Sequence, residues 1–336
     1  MNTMNTLQKF AKDRNILSFE PVLAPMLKNI WEPSFFTKTW VPEEYTFLFQ
    51  SDFYSNLNES QKLYLNQMTW VILYQRTSTG EKFTLQANQI IAENIKNTAP
   101  EVSKMIFREN DEEKDHIACF ESIFRKFSLH YNVELGSAMK PGRQLLGLQS
   151  TYKILFSQFG VDAILLYYLS RGVLNHIGKS WEPLLSKHDD NPLKSISLAH
   201  TLEENQHMAT SRLMAMVSDE LYPKRINSQF KQKVFNRIEQ GLINYQFSEK
   251  YNDQIEIKLV SHYLNKSQLF NAYSIEDFNN AIHQHFSRSS FMDIRRSLTI
   301  PKLNKSLILN SCTQVDRKNM WMDLLKKNNH KVTYIL

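Results

Sequence analysis

From Asn58 onward, apolar residues recur at helical spacing. Leu63, Leu65, Met68, Val71, Ile72 and Leu73 run towards Ile90 and Ile91, at intervals that keep them on one side of a helix. Asn58, followed by Glu59, Ser60 and Gln61, marks the start of that helix. Gly80 interrupts the pattern, at a cost of about 1 kcal/mol relative to alanine. Pro100 breaks the chain before a second helical run, about Glu101 to Phe127. A third run, about Arg143 to Lys179, is rich in Leu, Phe and Tyr, as expected of a helix surrounded by others. Pro192 leads into a fourth, about Leu193 to Val217. These four long helices predict an all-α four-helix bundle.

Outside the four runs the pattern is weaker. Residues 1 to about 55 hold Pro21, Pro25, Pro33 and Pro42 and little periodicity, and read as a wrapping segment with one short helix. Beyond the bundle, Ser228 to Gln246, Ile275 to Ser287 and Val315 to Lys327 read as helical, and Pro301 marks a loop. Without a repeat, a low-complexity tract or a linker, the expectation is a single domain over 1–336. Its core bundle lies at about 58–217 and a C-terminal helical extension at about 220–336.

Composition narrows the class. Among 336 residues, 8 Gly and 10 Pro are few, and 21 Phe and 14 Tyr supply core material, which favours long helices over a many-stranded sheet. The net charge of +6 is modest and its Lys and Arg are scattered, so no nucleic-acid partner is expected. Two cysteines, Cys119 and Cys312, are too few for a disulfide framework or a thiolate zinc site. The first 19 residues lack the apolar run of a signal peptide. The most apolar stretch, Ile154 to Leu174, carries Gln158, Asp162 and Arg171 and reads as a buried helix rather than a membrane span. A cytoplasmic protein with no membrane partner is expected.

Two charged motifs change the picture. His200-Thr-Leu-Glu-Glu-Asn-Gln-His207 places His200, Glu204 and His207 within an arc of roughly 60° on one helix face. Glu113-Lys-Asp-His116 repeats the Glu-x-x-His spacing on the second helix. Two such pairs, each joined by a carboxylate from another helix, describe a carboxylate-bridged di-metal site in a four-helix bundle. A lone Glu-x-x-His is usually a solvated helix pair; two in separate helices, one reinforced by His200, favour metal. Glu81 is the candidate from the first helix, and its distance from Glu113 suits two antiparallel arms of about four turns each. Asp162, the sole carboxylate between Glu134 and Glu182, is the candidate from the third. It lies in an apolar run where an ionised Asp needs a metal or a cationic partner, Arg171 and the C-terminal lysines being the rivals. Hard carboxylates with imidazoles suit two iron or manganese ions. Glu112 and Glu203 each precede a ligand carboxylate and are placed to hold the far nitrogen of a histidine on the facing helix.

With these residues in hand, the chain resembles the p-aminobenzoate N-oxygenase (AurF-like) family of diiron oxygenases, over roughly Phe53 to Met216. The resemblance rests on Phe53-Tyr-Ser-Asn-Leu-Asn-Glu-Ser-Gln, on Glu112 to His116, and most specifically on His200-x-x-x-Glu204-x-x-His207. It implies seven metal ligands, here Glu81, Glu113, His116, Asp162, His200, Glu204 and His207. The family has Asp-Glu where this chain has Glu112-Glu113 and Glu203-Glu204, and a third-helix Glu nearer the last motif than Asp162 is. The implied fold is a ferritin-like bundle with a di-metal site in its core. The implied activity is dioxygen-dependent N-oxygenation of an amine or aromatic small molecule, or hydroxylation of carbon, in specialised metabolism. A separate reductase would supply electrons, and apolar bundle surfaces suit a homodimer. Two other readings compete. A ribonucleotide-reductase-like small subunit would have a tyrosine four residues after the first motif histidine, where this chain has Phe120. A non-catalytic ferritin-like bundle would tolerate loss of His200.

Overall fold

The architecture is all-α. A computed structural model describes residues 3–16, 18–136, 152–185, 187, 190–221, 226, 228–246, 249–288 and 315–330, with no strand among them. Helix α1 (Thr3–Asn15) and helix α2 (Leu23–Ile30) precede a short α3 (Asp52–Ser55). The bundle follows as α4 (Glu59–Ile95), α5 (Pro100–Tyr131), α6 (Val161–Leu185) and α7 (Lys194–Leu221). Beyond it lie α8 (Gln229–Gln246), α9 (Glu249–Lys266), α10 (Ile275–Arg288) and α11 (Val315–His330). No helix among the described residues is long and apolar enough to cross a membrane.

Local chemistry sets the ends of the long helices. The Asn58 side chain accepts from the Gln61 N–H while Gln61 accepts from the Asn58 N–H, a capping box that satisfies two orphan donors at once. Pro100 starts α5, where its missing N–H costs nothing, and Asn132 ends it in the left-handed region at φ 48°. The third run departs from expectation. It is helical over 152–159 and breaks at Gly160, whose φ of 53° suits a residue without a side chain. It then resumes as α6 and passes the predicted end at Lys179; residues 143–151 of the expected helix lie outside the described residues. Pro301 does too.

Helix α4 packs along α5 and α6 along α7, and the two pairs face each other. Hydrogen bonds from Ser103 to the Ala92 carbonyl and from Tyr131 to Gln67 place α4 and α5 antiparallel. This is the ferritin-like arrangement. Two apolar cores fill its ends. One gathers Leu65, Met68 and Trp70 of α4 with Phe120, Ile123 and Phe127 of α5. The other joins Ile91 and Ile95 of α4, Met105 and Ile106 of α5, Leu165 and Leu169 of α6, and Met214 of α7. Between them lies a layer of buried acids and imidazoles from α4, α5 and α7, with Arg171 of mid-α6 beside it.

The N-terminal segment is more regular than its prolines suggest. Leu7 and Ala11, one turn apart, bury α1 against the bundle. The Asp115 carboxylate accepts the backbone N–H groups of Val22, Leu23 and Ala24, pinning the start of α2 to α5 through that helix's orphan donors. Helix α9, which the sequence reading did not anticipate, covers the first core with Leu259, Val260 and Tyr263.

Candidate metal centre

Six of the seven expected ligands converge in the polar layer. Glu81 comes from α4, Glu113 and His116 from α5, and His200, Glu204 and His207 from α7, and all are buried. Donor atoms of Glu81, His116, His200 and Glu204 lie within 4.8 Å of one another, as do those of Glu113, Glu204 and His207. Glu204 belongs to both groups. The helical spacing of each Glu-x-x-His pair is what turns both side chains inward, and His200, one turn before Glu204, adds a third nitrogen.

The three histidines share one orientation. Each turns one ring nitrogen into the centre and the other towards an outer carboxylate. His116 Nε2 lies 2.7 Å from Glu203 Oε2, His200 Nδ1 2.5 Å from Glu182 Oε1, and His207 Nε2 3.0 Å from Glu112 Oε2. An N–H donated outward leaves a lone pair inward, the arrangement of a metal-ligating imidazole. Inward, His200 Nε2 is 3.1 Å from Glu81, and His207 Nδ1 is 3.0 Å from Glu204 and 3.3 Å from Glu113. Glu112 and Glu203 therefore sit where the sequence reading placed them. Glu182 does the same work for His200 and is held in turn by the Thr201 hydroxyl at 2.7 Å. It was missed because its position near the end of α6 depends on where that helix packs.

Asp162 is not brought into this layer. It lies in the first turn of α6, 3.0 Å from Arg317 Nη2 of α11. The cationic partner anticipated as its alternative is thus an arginine of the last helix. What α6 brings to the layer beside Glu182 is Arg171, whose guanidinium donates to Glu109 at 2.8 Å and Glu113 at 3.2 Å. Arg14 from α1 reaches Glu109 and Glu112 from the other side, and Arg108 also meets Glu112. Arg14, Glu109, Arg171, Glu113, His207 and Glu112 close a ring of charged contacts.

The layer is rich in carboxylates. Glu81, Glu109, Glu112, Glu113, Glu182, Glu203 and Glu204 crowd into it, with the guanidiniums of Arg14, Arg108 and Arg171 among them. In the metal-free protein the imidazoles respond. Burial alone would lower the His200 pKa, but Glu182 and Glu81 raise it to about 10. Burial opposes and Glu113 and Glu204 likewise raise His207 to about 10. Glu112, despite burial, is held down to about 2 by His207 and Arg14. Among the described residues three buried atoms of the layer, Glu81 Oε2, Glu113 Oε2 and His116 Nδ1, make no hydrogen bond, although His116 Nδ1 lies 3.4 Å from Glu81 Oε1 and 3.6 Å from Glu113 Oε2. Buried polar atoms are rarely left so, and these are oxygen and nitrogen donors of the type that a hard or borderline cation takes. The residues fit a metal.

The layer opens on a cavity of about 370 Å³. Glu81, Glu113, His200 and Glu204 form one wall, and Leu73, Phe83, Phe156, Leu166, Ile238 and Leu242 are among the apolar residues that line the rest. A mostly apolar cleft with a few converging polar groups is the usual form of a small-molecule site.

Comparison with known proteins agrees with the chemical class. Residues 34–137 match the family model of CylC-like acyl halogenases. The matched segment is less than a third of the chain and holds Glu81, Glu113 and His116, three of the six converging residues, together with Glu112; α6 and α7 lie beyond it. No curated protein and no solved structure matches. The similarity is thus to an acyl halogenase family rather than specifically to the N-oxygenases.

Proposed function

We propose that this protein is a dinuclear iron enzyme that uses dioxygen to functionalise an apolar small molecule, with halogenation of an acyl-type chain as its reaction. The observation that carries the reading is the set of three histidines, each backed by a carboxylate, gathered with Glu81, Glu113 and Glu204 beside an apolar cavity. Two divalent cations would balance the crowded carboxylates. Glu81, His116, His200 and Glu204 would hold one ion, and Glu113, Glu204 and His207 the other, with manganese the alternative metal. Iron bound there would supply dioxygen reduction and the oxidising power that C–H functionalisation requires.

The chain's own residues prepare that chemistry. Glu112, Glu182 and Glu203 fix the histidine tautomers. The apolar wall excludes water and seats the chain to be modified. Arg171 replaces the carboxylate that a third bundle helix ordinarily contributes to such a site. The half at Glu113, Glu204 and His207 is therefore short of an anionic donor and has a guanidinium beside it, conditions that favour an external anion. A halide seated there is consumed as the substrate loses hydrogen and gains halogen. Dioxygen goes to two waters, taking two electrons from the substrate and two from a separate donor protein. Amine N-oxygenation, implied by the His200–Glu204–His207 triplet, is the second reading. We expect no nucleic-acid or membrane partner, and a homodimer is compatible with the reading.

The test is a reaction of iron-loaded protein with dioxygen, a reductant, and fatty acyl thioesters or arylamines, with chloride or bromide present or omitted. A product carrying the halogen isotope pattern, formed only with halide, supports the proposal. Oxygenated amine irrespective of halide supports the second reading, and protein that binds no iron overturns both.

A further inference from the structure

A line of aromatic rings runs from the cluster to the protein surface. The Tyr74 ring meets that of His200 at 6.3 Å between centroids, and Trp70 stacks on Tyr74 at 4.1 Å. Trp40 meets Trp70 edge-on at 6.0 Å. Phe35 touches both Trp40 and Trp31, each at 4.9 Å. Trp70, Trp40 and Phe35 are almost fully buried, whereas Trp31 is only half-buried and has the Lys126 ammonium 5.3 Å above its ring. Three of the chain's five tryptophans therefore lie on one path between a candidate ligand and solvent.

Aromatic packing alone leaves one feature of this path unexplained. A buried indole N–H usually finds an acceptor, yet Trp70 Nε1 has none among the described residues. The Tyr74 hydroxyl, by contrast, donates to the Ser197 hydroxyl at 2.7 Å, which fixes the phenol ring between His200 and Trp70. Tyrosine and tryptophan are the side chains most readily oxidised by one electron, and electron tunnelling is fastest between rings in contact.

We propose that Tyr74, Trp70, Trp40 and Trp31 form an electron relay between the metal centre and the surface. The inference rests on the metal reading given above. In the supply direction a one-electron donor at the surface gives up an electron near Trp31. Trp40, Trp70 and Tyr74 pass it inward, and one ferric ion becomes ferrous. In the absence of substrate the same path drains oxidising equivalents generated from dioxygen. Trp70 gives up an electron across the Tyr74 ring to the oxidised centre, Trp40 refills Trp70 and Trp31 refills Trp40. Two such one-electron losses at one indole, with a water oxygen added and two protons released to solvent, leave an oxygenated tryptophan.

The experiment compares wild type with W70F and W31F. Each is loaded anaerobically with iron, assayed for metal content, and exposed to dioxygen without substrate or reductant. Peptide mass spectrometry then locates oxygenated tryptophan. Wild type is expected to carry oxygen at Trp40 and Trp31. W70F, with its metal content intact, is expected to lose both signals, and W31F to keep that of Trp40. Reduction of the ferric protein by a one-electron donor too large to enter the cavity should slow in both variants. An unchanged oxygenation pattern and reduction rate in iron-loaded W70F overturn the relay alone. Wild-type protein that binds no iron overturns the metal reading and the relay with it.

Discussion

Helix α6 takes part in two buried clusters of carboxylate and arginine, and they behave differently. At its first turn, Asp162 and Glu239 share Arg317, and Trp321 donates its indole N–H to Glu239 at 2.8 Å. Burial raises the pKa of Glu239 against the pull of Arg317. At mid-bundle seven carboxylates meet three guanidiniums, and three imidazoles join them. Both clusters solve the problem of a buried charge, but only the second gathers imidazoles with the carboxylates and holds inner atoms that make no hydrogen bond among the described residues. A buried acid in an apolar run is therefore no sign of a metal. Converging carboxylates with imidazoles whose outer nitrogens are already satisfied are.

The largest break in that contrast should come from Glu204, the one carboxylate common to both ligand groups. Glu204→Ala is expected to remove bound metal from both positions, read as loss of iron stoichiometry after anaerobic loading, while helical content by circular dichroism stays near wild type. Retention of two irons would show that the donors are assigned wrongly.

Next in size is the dependence on pH, which should change sign with metal. In the metal-free protein His200 and His207 have folded pKa values of about 10, above the ordinary value near 6.5. Their stabilising contribution is complete below about pH 6.5 and is lost as pH rises through about 10. Metal binding requires the neutral rings and releases their protons, so affinity rises over the same window. Melting of apo-protein should move to lower temperature between pH 7 and 10, while the stabilisation gained by adding metal grows. Parallel curves for apo- and metal-loaded protein would contradict the assigned proton positions.

A smaller effect sharpens the comparison within the cluster. Glu182 backs His200 in the four-donor group and Glu112 backs His207 in the three-donor group. Substituting either by Gln keeps an acceptor but removes the charge, and should weaken metal binding about 10-fold, the low end for such outer partners. Glu182→Gln should weaken one ion and Glu112→Gln the other, resolved as separate phases in a titration with Mn(II) followed by electron paramagnetic resonance. Identical titrations for the two variants would mean that the halves are not distinct.

The sequence disclosed those parts of the site whose geometry is local. Glu-x-x-His and the His200–Glu204–His207 triplet lie on single helices, so 3.6-residue periodicity alone turns them inward, and α4 and α5 followed from apolar spacing and the Asn58 cap. Partners fixed by packing between distant elements were not legible. Glu182 meets His200 only because of where α6 ends. Arg14 reaches Glu112 only because Leu7 and Ala11 dock α1, a helix whose two buried positions are too few to stand out. The break at Gly160 also escaped notice, since an apolar run reads the same on either side of a left-handed residue.

Asp162 makes the converse case, and it sets the smallest prediction. Its apolar neighbours made it a candidate ligand, yet the counter-charge arrives from Arg317, far along the chain on α11. Asp162→Ala removes one of two carboxylates facing a buried guanidinium, with Glu239 remaining as its partner at 3.0 Å. The penalty should therefore fall below that of a fully orphaned charge, about 1–3 kcal/mol, read from urea unfolding. Iron content and the metal titration should be unchanged. Loss of iron with little change in stability would reverse the assignment, returning Asp162 to the metal and leaving Arg171 as a bystander on the third helix.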